Sequence, residues 1–156
     1  MLRTIPPFFI ATICTLQFVD LGFTADPEEG VLAGHSTHGD AFNDGPRQAA
    51  YLMPGMGNIQ FAASTENELT KKFINQGVAQ LHGFWYYEAE RSFRQAAVHD
   101  PDCAIAYWGM AQANTGNRER ARDFVAEAVE RIEGTTEREK MFILSYEQFL
   151  KEEDDK

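Results

Sequence analysis

The sequence predicts an all-α fold of about five helices, arranged as two and a half helical hairpins behind an export signal and a long extended segment. Three observations carry this. From Ser64 onward glycine becomes rare and apolar residues recur at helical spacing. Small residues return at fixed intervals, with Ala89, Phe93, Ala96 and Pro101 standing 12, 16, 19 and 24 residues after Gly77. Upstream, residues 26–63 hold six glycines and three prolines and show no sustained helical period.

Residues 1–25 read as a secretory signal peptide. Arg3 supplies the positive start, residues 5–19 form an apolar core, and Asp20 ends it. That core is shorter than the roughly 20 apolar residues of a membrane span, so no stable span is expected once the signal is removed. Cleavage is expected after Ala25, although Phe23 stands where a small residue is preferred. Ile13 precedes Cys14, which argues against a lipoprotein signal. Export would place the chain in the periplasm or outside the cell and leave Cys103 as the one thiol, with no intrachain disulfide. A lone cysteine of this kind reads as a small buried hydrophobe.

Residues 64–150 form the helical domain. The first helix is expected over 66–82, with Thr65 as N-cap, Glu68 closing a capping box and Gly83 as the stop. The second spans about 85–98 and ends at Asp100-Pro101, because the residue before proline avoids helical geometry. Asp102 is expected to cap a third helix over 103–115, which Gly116-Asn117 breaks. The fourth runs over about 118–132 to Gly134. Thr136 and Glu139 form a second capping box and open the fifth helix. Residues 151–156, Lys-Glu-Glu-Asp-Asp-Lys, read as a solvated acidic tail.

The intervals after Gly77 are those of the tetratricopeptide repeat, whose period is about 34 residues. Gly77 and Ala89 let paired helices approach closely, Phe93 fills the gap they leave, Ala96 admits the next helix and Pro101 sets the turn. The second unit offers Ala111 at the small position, Ala121 and Ala128 at the same spacing of seven as Ala89 and Ala96, and Val125 in the phenylalanine slot. Beyond the generic repeat, "EAERSFRQAAVHDPDCAIAYWGMA" resembles a stretch found in uncharacterised secreted bacterial tetratricopeptide proteins of planctomycete type, over roughly residues 34–134. The resemblance implies protein or peptide binding and offers no catalytic residue to carry over. Such proteins are usually much longer. A complete small domain, a piece of a longer array and a protein that self-associates through helix 5 are therefore all open.

In such repeats the first helix of each hairpin lines a concave face. That register assigns Lys71, Ile74, Val78, Leu81 and His82 from helix 1 to a partner groove, and Ile105, Trp108 and Gln112 from helix 3. A groove so apolar is a binding patch if exposed. Residues 34–63 carry enough large apolar side chains, Tyr51, Met53, Ile59 and Phe61 among them, to fold back and cover it in cis.

The formal net charge of −10 argues against nucleic acid and anionic lipid as partners. His35, His38 and Asp40 are a weak metal-ligating set, two imidazoles and a carboxylate in a loop with no third histidine nearby. A metal-binding accessory protein is the alternative function they suggest; otherwise no cofactor is expected. Gly55-Met56-Gly57 lacks the later glycine of a dinucleotide loop. The pairs Glu88/Glu90 and Glu137/Glu139, two residues apart on helices, do not share a face and read as solvated surface. Arg118, Arg120 and Arg122 read the same way, and Trp85, Tyr86, Tyr87 and Trp108 as core. The expectation is an exported, non-catalytic binding or scaffolding module, with no enzyme activity.

Overall fold

A computed structural model describes residues 44–152 except Arg47. The expected signal peptide and residues 153–156 of the expected tail lie outside the described residues. Five α-helices follow one another: α1 Glu68–His82, α2 Tyr86–His99, α3 Ala104–Gln112, α4 Arg118–Glu130 and α5 Glu137–Glu152. No strand occurs among the described residues, and residues 44–63 run without regular structure. Each helix packs along the next, and α3 also touches both α1 and α5. The expected tail begins late, because Lys151 and Glu152 continue α5.

The core is built as the intervals require. Ala89, Phe93, Ala96, Ala111, Ala121 and Ala128 have no exposed surface, and Gly77 is buried with them. Phe93 organises this packing. A Cβ on Gly77 would stand 2.8 Å from the Phe93 ring, and one on Gly109 would overlap it more closely still. The ring is therefore gripped between backbone of α1 and backbone of α3. Gly109 escaped the sequence reading, which looked for a small residue at Ala111. Pro101 is exposed and acts through its carbonyl, which accepts hydrogen bonds from Tyr107 Oη at 3.0 Å and Arg131 Nε at 2.8 Å.

Two helix starts differ from expectation, and Asp100 takes part in both. The Thr65 hydroxyl donates to the Asp100 carboxylate at the end of α2. The cap passes to Asn67, whose side-chain oxygen accepts from the N–H groups of Leu69 and Thr70 at 2.9 and 3.1 Å. Asp100 also takes the backbone N–H of Asp102 at 3.2 Å, and α3 starts at Ala104 behind Cys103 with no side-chain cap. At α1 a long-range partner thus outcompetes local capping, while at α3 the local turn bond to Asp100 replaces the expected cap. The third helix also ends early, at Gln112, because Asn114 turns its amide back to the Met110 carbonyl at 2.9 Å. The second capping box forms as read: Glu139 accepts from Thr136 N at 2.8 Å, and Glu139 N donates to Thr136 Oγ1 at 3.3 Å.

The end of α1 holds the one non-glycine residue with positive φ among the described residues. Trp85 N–H reaches back to the Gln80 carbonyl at 2.9 Å and Phe84 N–H to Leu81 at 3.1 Å, the paired bonds of a Schellman stop. The residue at its left-handed position is normally glycine. Here Gly83 comes one place early with φ −84°, and Phe84 takes φ 59°. A Cβ in that region costs about 1–2 kcal/mol.

The grip on Phe93 yields a stability prediction. Gly77→Ala and Gly109→Ala should each destabilise the fold by about 1–3 kcal/mol through overpacking, with Gly109→Ala the worse. Urea unfolding followed by circular dichroism measures both. Wild-type stability in Gly109→Ala would disprove the grip.

Candidate functional site

The expected groove residues divide sharply by exposure. Ile74 and Ile105 are fully buried and Val78 nearly so. Leu81, Trp108, Gln112 and Lys71 are half-buried, and His82 is exposed. The Lys71 ammonium pairs with Glu68 at 2.8 Å.

The chain itself fills the face at Trp108. Phe61 stacks on the indole with ring centroids 5.7 Å apart, and Phe142 of α5 meets both rings, 5.4 Å from the indole and 5.8 Å from Phe61. The Arg138 guanidinium lies 4.6 Å above the Phe61 ring and donates to the Ala62 carbonyl at 3.2 Å. The indole N–H of Trp108 is buried and has no hydrogen-bond acceptor among the described residues.

Upstream of Phe61 the extended backbone is held by side-chain amides. Gln76, buried on α1, donates to the Tyr51 carbonyl at 2.9 Å and accepts from Met53 N–H at 2.7 Å. Asn75 accepts from Phe61 N–H at 2.8 Å, and Gln95 of α2 accepts from Ala50 N–H at 3.1 Å. Ser92 braces Gln76 and Gln80 from below, at 3.0 and 2.7 Å. These amides hold the backbone on either side of the turn at residues 54–56, pairing backbone groups of Ala50, Tyr51, Met53 and Phe61 with side chains of α1 and α2. A small cavity of about 200 Å³ remains where Met56 and Ile59 face Lys72 and Asn75.

Two buried clusters fasten the ends of this segment. At its start, Arg94 and Arg120 converge on Glu90 at 2.7 and 2.5 Å, and Asn114 donates to the second Glu90 oxygen at 3.0 Å. Both guanidinium groups also donate to the Asp44 carbonyl, at 2.6 and 3.0 Å. Gly45 follows with φ 83°, and a Cβ there would lie 2.6 Å from both Arg120 Nη2 and Glu90 Oε1. Only glycine passes this point. Glu90 is 3% exposed and Arg94 2%, which overturns the reading of Glu90 and Arg120 as solvated. Glu88, two residues away on another face, is half-buried and pairs with Arg91 at 3.1 Å. The sequence signal was available: Glu90 and Arg94 are spaced i, i+4 beside the Ala89, Phe93, Ala96 stripe.

At the other end Ser64 donates its N–H to Glu139 at 2.6 Å and its hydroxyl to the second Glu139 oxygen. With the two Thr136 bonds, the carboxylate has four donors and is 1% exposed. Burial pushes its pKa up, but the bonds from Ser64 and Thr136 outweigh it and hold the carboxyl below its ordinary value. Glu139 is thus buried, not solvated, while Glu137 stays exposed.

The remaining chemical candidates are thin. His35, His38 and Asp40 lie outside the described residues, and among the described residues no group of three His, Cys, Asp or Glu side chains could hold a metal. Cys103 is buried, and burial pushes its thiol up to about 11, the behaviour of a packing residue. Among the described residues no helix is long and apolar enough to cross a membrane. Trp85, Tyr86 and Tyr87 are exposed at 57%, 39% and 56%, so three of the four aromatics read as core lie on the surface instead. No protein-family model, curated protein or solved structure matches the chain.

The Glu139 clamp gives a pH signature. Its depressed folded pKa contributes stability fully present above the unfolded carboxyl pKa of about 4.3 and lost as pH falls through the folded value. Glu139→Gln should therefore lower the melting temperature at pH 7 and flatten the loss below about pH 5. Parallel acid-melting curves for wild type and variant would refute the clamp.

Proposed function

We propose that this chain is a tetratricopeptide-type, non-catalytic module that binds extended protein segments, exported to the periplasm or beyond. The observation that carries the reading is the amide-held segment. Asn75, Gln76 and Gln95 receive an extended backbone on a helical face, and Phe61 fills the aromatic slot against Trp108. This is the chemistry by which a helical face takes a peptide: backbone bonds for affinity, a side-chain pocket for selection. The resident segment makes the site self-liganded. An incoming peptide carbonyl would also supply the acceptor that Trp108 Nε1 lacks. The succession of paired helices and the Gly77 intervals support the repeat assignment.

The test is reconstitution. Residues 64–156 should melt well below the chain that begins at residue 26, and a synthetic peptide of residues 44–63 should bind them and restore the melting temperature. A peptide that neither binds nor stabilises would contradict the reading.

A second surface supports self-association. On α5, Met141, Leu144 and Phe149 are 71%, 46% and 49% exposed, a load of apolar surface that a solitary outer helix does not need. Light scattering should show a concentration-dependent dimer that Leu144→Glu dissociates. A monomer across the micromolar range would remove α5 as a contact.

A further inference from the structure

The turn from α1 to α2 presents four consecutive aromatic residues, and the fold gains little from them. Phe84 is 77% exposed and Trp85 57%. Phe84 also occupies the left-handed position of the helix stop, where glycine would sit without strain. The Phe84 ring stays mostly exposed and meets only Tyr86 among the described rings, so packing offsets little of the backbone strain, and strain of this kind points to function.

The geometry narrows what that is. Phe84 and Tyr86 meet edge to face, at 74° with centroids 6.3 Å apart. Rings set this way offer no flat platform for a sugar, but they do present π-faces in more than one direction. Such faces attract cations, and one face here already holds one: the Arg91 guanidinium lies 5.5 Å over Tyr87. Arg91 is itself neutralised by Glu88 at 3.1 Å, so it does not repel a further cation. The whole chain carries a formal charge of −10, which draws basic partners and repels acidic ones.

We propose that the Phe84–Tyr87 turn is a docking site for an arginine- or lysine-bearing segment of a partner protein, seated by cation–π contacts and steered by the acidic chain. This rests on the binding-module reading but names a different surface from the one residues 50–61 occupy.

The test uses the full chain and a Gly/Ser decapeptide bearing arginines, with the same peptide bearing glutamines as control, titrated by Trp fluorescence and calorimetry. The arginine peptide should bind, more weakly as salt rises, and the glutamine peptide should not. Trp85→Ala and Tyr87→Ala leave the charge unchanged and should each weaken binding about two- to fivefold. Phe84→Gly should weaken it similarly while raising the melting temperature by roughly a few degrees. That opposition separates a docking residue from a structural one. Equal binding of both peptides, unchanged affinity in the aromatic variants, or a lower melting temperature in Phe84→Gly would overturn the proposal. Failure here with successful reconstitution by the 44–63 peptide would reject the turn and keep the module.

Discussion

The Phe93 ring lies between two glycines, and the rest of the structure is arranged around that contact. Gly77 brings the backbone of α1 onto one side of the ring, and Gly109 brings α3 onto another. With those two distances set, α2 must run between α1 and α3, and only small residues fit along its sides. Ala89 and Ala96 are fully buried for this reason. The same constraint places Trp108, next to Gly109, at the mouth of the face that Phe61 and α5 close.

This explains how the polar interior became possible. Alanines leave the helices close together, and long side chains such as Glu90, Arg94 and Gln76 then span the gaps. An isolated buried ion costs several kcal/mol, but Glu90 has both oxygens occupied by guanidinium and amide donors. The arginines in turn donate to Asp44 and thereby fix where the segment enters. Ser64 and Glu139 fix where it leaves. The covered groove follows from these two anchors with the stacking of Phe61 between them.

The helical period and the small-residue intervals were legible because they are local. All five helices could be read, as could the Thr136/Glu139 box and the buried character of Cys103. What stayed hidden depends on partners distant in the chain. Thr65 looked like a cap, but its hydroxyl serves Asp100, so Asn67 took the role. Glu90 and Glu139 each have a near donor, Arg94 and Thr136, but the donors that complete their burial, Arg120 and Ser64, lie 30 and 75 residues away. The Phe84–Tyr87 run looked like core because aromatic residues usually are. The strain at Phe84 is a backbone fact that composition does not carry. Of the candidate groove, the register named Trp108, which the structure places against Phe61 and Phe142, and the amide ladder of Asn75, Gln76 and Gln95 went unseen because polar residues beside an apolar stripe read as surface.

The central claim is that residues 44–63 are a bound, integral part of the helical domain. Native-state hydrogen exchange tests it most directly, residue by residue, at the amides of Met53, Phe61 and Ser64. Each donates to a side chain of the helical domain. The account predicts protection of these three amides within about tenfold of the core amides of α2, so that they open only with the domain or in a single cooperative step before it. Exchange at the rate of an unstructured peptide, with the helices still protected, would contradict it.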